Sequence, residues 1–200
     1  MMLPTHAVVG LAIAAPLVAL APDAATAALA GGLIGSVLPD FDMYAGHRRT
    51  LHYPTGYALA SVPAVIAGGV LRTPLSVAVA FALVGAALHC RMDRYGGGLE
   101  LRPWEANSER AVYDHVRGRW LAPGRVVRYD GAPEDVLLLG ALGVPLVAIL
   151  DPPFRWIAGV ALLTGAVYGL VRRRLAALAP VVSGWVPAPV SGYLPERYRR

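Results

Sequence analysis

Lysine is absent from this 200-residue chain, cysteine occurs once, and charged residues of both signs make up only 16% of it. Each shortage removes a class of protein. A single cysteine, Cys90, rules out an internal disulfide framework and any cysteine-cluster metal site, leaving histidines and carboxylates as the available ligands. A soluble domain carries about a quarter charged residues. The deficit, with 56% hydrophobic residues in its place, points to lipid as the solvent and lies far from the composition of a disordered chain. The absence of lysine, all eighteen basic residues being arginine, carries no functional weight by itself, and the net charge of +5 gains meaning only from where those arginines lie. A basic leader is also missing: the first apolar stretch is interrupted by His6 and Pro16, so no cleavable signal peptide is expected.

Apolar sequence is abundant and arrives in hairpins. Six stretches are free or nearly free of charge: 4–22, 24–39, 55–71, 74–90, 136–150 and 156–171. Each lies near the lower limit of ~17 residues for crossing a bilayer core. The predicted fold is all-α, a polytopic membrane bundle of about six helices. A soluble helical protein is the weaker alternative, because six such segments leave too little polar surface to cover them. Residues 1–179 are read as one membrane-embedded domain, 91–135 as a loop or lid between the fourth and fifth helices, and 180–200 as an extended interfacial tail. The Ala- and Gly-rich run Ala27 to Gly35 predicts a helix central in the bundle, since small residues let backbones approach closely. Short links at Asp23, at Arg72-Thr73 and at 151–155 put the long links, 40–54 and 91–135, on one side with both termini. Sixteen of the eighteen arginines then share that side, with Arg72 and Arg155 opposite. The expected location is the cell's inner (plasma) membrane, multi-pass, with the long loops and both termini cytoplasmic.

Four of the five histidines and a group of aspartates converge at that same face. His6 opens the first helix, Asp40 and Asp42 close the second, His47 and His52 follow in the loop, and His89 and Asp93 end the fourth. Ionisable groups at the ends of apolar helices are expensive to desolvate and are expected to meet a partner, a metal or a water-filled pocket. His89 and Asp93 are spaced i, i+4, a rigid half-site for a metal or, alternatively, an intrahelical hydrogen-bonded pair. Asp40 and Asp42 follow Pro39 where the negative end of a helix dipole calls for a cation, although Pro-Asp also suits an exposed turn. His47-Arg48-Arg49-Thr50-Leu51-His52 mixes imidazoles with guanidiniums, suiting metal, phosphate or anionic lipid. Together His6, Asp40, Asp42, His47, His52, His89 and Asp93 are an all-N/O set suited to zinc, with manganese as the other choice, and numerous enough for a two-metal hydrolytic site. His115 falls in the long loop away from the group, and Cys90 points about 100° from His89 and is expected to pack.

These motifs resemble the YdjM-like family of inner-membrane metal-dependent hydrolases over most of residues 3–104. The features are Thr5-His6 with Gly10, Leu38-Pro39-Asp40-Phe41-Asp42, His47-Arg48 through His52, and His89 through Asp93 followed by Gly96-Gly97-Gly98 and Pro103-Trp104. The resemblance implies hydrolysis with bound metal, with His6, Asp40, Asp42, His52, His89 and Asp93 as ligands or near-ligands. Arg49, Leu51 and Tyr53 stand where the family pattern has Gly, Thr and Ser, and Gly96 where it has Thr, so ligand positions are kept while neighbouring hydroxyls are lost.

The expected activity is hydrolysis of a phosphoester or lipid-type substrate, with Asp42 or Asp93 taking the proton and Arg48 and Arg49 neutralising phosphate oxygens. The polar segment 100–129 is read either as a lid whose arginines bind substrate or as a solvated interface loop anchored by Trp and Tyr. The rival function is a non-enzymatic membrane protein, a proton or ion pathway or a scaffold, using the same Asp and His groups. Expected partners are membrane lipids and a small-molecule or lipid substrate. Nucleic acid fits less well, because topology already accounts for the basic charge.

Overall fold

The computed structural model describes residues 1–192, Leu194 and Tyr198. The fold is all-α: α1 (Leu3–Ala14), α2 (Leu17–Leu20), α3 (Pro22–Val37), α4 (Pro54–Leu71), α5 (Pro74–Tyr95), α6 (Pro133–Ile149), α7 (Phe154–Gly184) and α8 (Ala188–Ser191), with one small hairpin. Proline marks the starts. α1, α3, α4, α5 and α6 each carry it in the first two positions, where the missing N–H is no loss and the fixed φ already suits a helix. At α5 the Thr73 hydroxyl accepts from the Ser76 amide and Ser76 answers with the Thr73 amide, closing a capping box. Pro16 divides the first apolar stretch into α1 and α2.

Five segments are long and apolar enough to cross a membrane: Leu3–Leu20, Pro22–Tyr44, Pro54–Leu71, Pro74–Tyr95 and Phe154–Gly184. The sixth expected span, α6, is a helix of 17 residues. Large apolar side chains lie exposed along these helices, with Leu20 and Leu170 each 82% accessible. That surface suits lipid better than water.

α3 is central, as its small residues predict. An added Cβ at Gly31 would lie 2.1 Å from the Ala78 carbonyl oxygen, and one at Gly35 only 1.9 Å from that of Ala82. Gly10 of α1 is equally close to Gly32. Backbone meets backbone on both flanks of α3, and α1 and α5 are drawn in against it. The apolar core adds Val8, Leu11 and Leu29 from this trio to Leu139, Leu146 and Ala158 from α6 and α7.

Two differences from the sequence reading stand out. The last helix runs to Gly184 with Pro180 inside it, and Ala188–Ser191 forms a further helical turn. The expected extended tail is thus helical over 180–184 and again over Ala188–Ser191 with a break between them, and residues 193, 195–197, 199 and 200 of that expectation lie outside the described residues. A proline inside a helix is tolerated where neighbouring groups re-satisfy the freed carbonyl. Second, the long polar segment contains an antiparallel hairpin, β1 (Val112–Asp114) and β2 (Arg119–Leu121), in which Tyr113 faces Trp120. Gly118, with φ of +62°, supplies the left-handed residue of its turn.

Candidate metal centre

α5, the end of α3 and the loop between α3 and α4 build the centre together. After Val37 the chain tightens into a 3-10 turn over Leu38–Tyr44 that begins with Pro39. With three residues per turn, Asp40 and Asp42 point in different directions. Asp40 faces α5, with its Oδ1 3.4 Å from His89 Nε2. Asp42 turns into the following loop and accepts five hydrogen bonds there, from the His47 and His52 rings and from the amides of Arg48, Arg49 and Leu51. This loop is wrapped around one carboxylate. Arg48 takes a left-handed φ of +59° to bring its amide inward, a strained conformation held by those contacts.

One ligand atom from each of Asp40, His52, His89 and Asp93 falls within 4.8 Å of every other, and His52, His89 and Asp93 are buried. The separations are 3.2 Å between the two Nε2 atoms, 3.3 and 3.4 Å from these to Asp93 Oδ2, and 3.4 and 3.9 Å from His89 and His52 to Asp40 Oδ1. The edge of a tetrahedron with ligand bonds of about 2.0–2.1 Å is about 3.3–3.4 Å.

The hydrogen bonds behind the rings decide what those atoms carry. His89 Nδ1 lies 2.7 Å from the Ser36 carbonyl oxygen, which can only accept, so Nδ1 holds the proton. His52 Nδ1 lies 2.9 Å from Asp42 Oδ2 and donates likewise. In the neutral rings both Nε2 lone pairs therefore face each other and two carboxylate oxygens. Four acceptors repel unless a metal ion lies between them or one ring takes a second proton and shares it with the carboxylates, and each ring is braced from behind as metal-bound histidines are. The i, i+4 pair of His89 and Asp93 is in contact at 3.4 Å, as either expectation requires, and Asp40 and His52 join it.

The remaining expected residues are brought close but into other roles. Asp42 sits behind His52, with both oxygens engaged by the loop, and has no lone pair aimed into the cluster as a base or ligand would need. His47 donates from Nδ1 to Asp42 at 3.1 Å and lies 4.0 Å from Asp40. Burial lowers its pKa and outweighs the Asp42 hydrogen bond, which alone would raise it, so the ring is held neutral. His6 stacks on His89 at 3.8 Å and meets Asp93 Oδ1 at 3.2 Å, outside the four-atom set. That second oxygen of Asp93 also takes the Arg48 guanidinium at 3.4 Å and the Met1 amino group at 2.8 Å. Arg48 also approaches the oxygen that faces the cluster, its Nε lying 3.2 Å from Asp93 Oδ2. Arg48, buried and also bonded to the Gly97 carbonyl, is not free to bind phosphate, while Arg49 turns outward over the Tyr113 ring. Cys90 packs against Ala111, Val112 and Tyr57, and His115 donates to the Arg49 carbonyl oxygen away from the cluster, as the sequence suggested.

Sequence reasoning missed three supports. The Ser36 carbonyl is a backbone group and leaves no signature in the side-chain pattern. Asp135 accepts from the amides of Met2 and Gly131, seating the start of α1 and hence His6. Arg172 of α7 reaches Asp130 twice at 3.0 Å and the Leu101 carbonyl, tying α7 to the polar segment. Only Arg in an apolar helix, with Asp130 in a loop, hinted at the last. Comparison of the chain with known protein families, with characterised proteins and with solved structures finds no match.

Proposed function

We propose that this protein is a membrane-embedded metal-dependent hydrolase of the YdjM-like kind, with zinc at Asp40, His52, His89 and Asp93 and a phosphoester or lipid-type substrate. The observation that carries the metal reading is the meeting of two braced imidazole nitrogens and two carboxylates, with nitrogen–nitrogen and nitrogen–oxygen separations of 3.2 to 3.9 Å. Two nitrogens and two oxygens at that spacing suit zinc better than magnesium or calcium, which favour six or more oxygens. A divalent ion there would supply an acidified water and withdraw charge from the attacked group.

The chain's own residues set the rest. Asp42 and the Ser36 carbonyl lock both rings in the tautomer that ligation requires. Arg48 holds Asp93 in place. Asp40 is the most open of the four, 14% exposed at its side chain against 2% or less for the others, so it is the carboxylate able to give way to substrate and pass a proton outward. Leu38 and Phe41, which flank it, also line an apolar groove of about 620 Å³ between α1, α3 and α7. The Thr164 hydroxyl on that wall is bonded to the Val160 carbonyl, and apart from it and the Trp156 indole the lining is aliphatic or phenyl. That favours an amphiphile, with its reactive bond at Asp40. The arginine count on this face supports a cytoplasmic orientation for it.

The four-ligand set also favours a second reading, a closed structural site that pins α3, the loop and α5, since catalytic zinc keeps a position open. Metal analysis by mass spectrometry on detergent-purified protein tests both. One divalent ion per chain, lost in Asp40→Ala/His89→Ala, is expected. Phosphoester or phospholipid turnover that follows metal content supports the hydrolase, and folded but inactive holoprotein supports the structural site. Folded protein that stays metal-free after exposure to zinc and manganese overturns both and favours the proton-pathway or scaffold alternative.

A further inference from the structure

A second pocket, of about 430 Å³, lies between α4 and α5 beneath the hairpin, on the opposite side of α5 from the metal cluster. Val84, Ala87, Leu88, Arg91 and Arg94 fall at i, i+3, i+4, i+7 and i+10, which is one helix face, and His89 and Asp93 occupy the other. Ala58 and Leu59 of α4 complete an apolar lower part, and Arg117 from the hairpin turn joins Arg91 and Arg94 at the top. The pocket is thus apolar towards the middle of the bundle and cationic at its end.

The positive charge there is not neutralised by the described residues. Among the described residues, neither Arg91 nor Arg94 pairs with a carboxylate. Arg91 donates to the Tyr95 hydroxyl and lies over its ring. The one carboxylate in the pocket, Asp114, is buried and already accepts from the Thr55 hydroxyl and from the amides of Val116 and Arg117. Arg117 lies 3.6 Å from it and is 55% exposed. Three guanidiniums against one engaged carboxylate leave an excess of about two positive charges, directly above a hydrocarbon-lined slot. Guanidinium groups take phosphate oxygens through paired N–H donors, and such basic pockets between membrane helices match anionic headgroups.

We propose that this pocket binds one anionic phospholipid, its phosphate held by Arg91, Arg94 and Arg117 and its acyl chain lying along Leu59, Val84 and Leu88. The site is separate from the metal centre and does not rest on the hydrolase reading. A bound lipid fills the space between α4 and α5 and the hairpin. It thereby braces the far side of the helix that carries His89 and Asp93.

Delipidated, detergent-purified protein is titrated with phosphatidylglycerol or phosphatidylcholine, and bound lipid is counted by native mass spectrometry. The expected result is one phosphatidylglycerol per chain, retained at least ~tenfold more tightly than phosphatidylcholine. Arg94→Gln/Arg117→Gln should weaken it about tenfold with metal content unchanged. Ala87→Trp, which fills the slot and leaves every arginine, should weaken it to a similar degree. Equal retention of the two lipids, or unchanged binding in both variants, overturns the proposal. Displacement by millimolar inorganic phosphate with no effect of Ala87→Trp reduces the site to an anion contact and overturns it too. So does a dimer that excludes lipid and is dissociated by Ala87→Trp, which assigns the face to a second copy.

Discussion

α3 and α5 approach until main chains touch, whereas α6 and α7 are spaced by leucine side chains. An added Cβ at Gly35 would meet the Ala82 carbonyl, but one at Gly143 meets the end of Leu162 and one at Gly165 the end of Leu139. At Gly140 and Gly159 it would meet nothing within 4 Å. The four proposed ligands follow this difference. His89 and Asp93 ride on α5, Asp40 continues from α3, His52 is fastened through Asp42 to the same turn, and α6 and α7 supply none. A carbonyl can brace a ring on a neighbouring helix only if the two backbones are that close, and Ser36 reaches His89 because Gly31 and Gly35 have no side chain. The looser pair can be reshaped by a rotamer change, and the tight pair cannot.

Enlarging a glycine is the most direct way to break the comparison. Gly35→Val should destabilise the fold by about 3 kcal/mol or prevent it, because carbonyl groups cannot step aside as side-chain ends can. Folded yield, melting temperature and metal content should fall together, and a Gly35→Val protein with normal metal content would refute the coupling of seam and site. Next in size is Arg172→Gln. It removes the Arg172 guanidinium from the largely buried Asp130 carboxylate, to which the Tyr168 hydroxyl also donates, at a cost of about 3 kcal/mol by melting measurements. Metal stoichiometry should survive in this variant, because α7 holds no ligand, and its loss would show that the two regions are not independent. Asp42→Asn touches the brace without touching a ligand. Metal affinity should drop about 10–100-fold in competition with a chelator while the fold persists.

Smaller effects sharpen the contrast. Burial would raise the carboxyl of Asp114, but the Thr55 hydroxyl and the amides of Arg117 and Val116 outweigh it and hold it below the usual range. A depressed folded value means that its contribution is present above the unfolded pKa of about 3.9 and is lost as pH falls through the folded value. Wild type should therefore lose hairpin stability on acidification to a greater degree than Thr55→Val, as read by hydrogen exchange of Ala111, whose amide is bonded to the Leu121 carbonyl. Least of all, Gly159→Ala on α7 should be neutral or raise stability by up to about 1 kcal/mol in a melting experiment.

Much of this site was legible along the chain. The i, i+4 spacing of His89 and Asp93, the Pro39-Asp40 stop and the loop histidine His52 each mark an ionisable group at an apolar helix end. Roles were harder to read than positions. Asp42 and Asp40 are two residues apart and look equivalent, but the 3-10 turn sends one to the loop and the other to α5. Arg48 and Arg49 are adjacent and chemically identical, and a single left-handed φ turns one inward to Asp93 while the other lies on Tyr113. The hairpin at 112–121 hid in a segment whose charge suggested a loop, with Gly118 and the Tyr113 and Trp120 pair as its faint signals.

Composition and spacing by themselves determined the solvent, the all-α class and the end of the bundle at which the ionisable groups gather. Those properties follow from local terms: the transfer of apolar residues to lipid, the start of a helix at proline, and the reversal forced by a short link. Only the tertiary structure decided which atoms meet. Periodicity gives a side chain's direction about its own helix axis, while the distance from His52 to His89, 37 residues apart, depends on how closely α3 and α5 pack. That packing is set by carbonyls against glycines, and no single segment contains both sides of the contact.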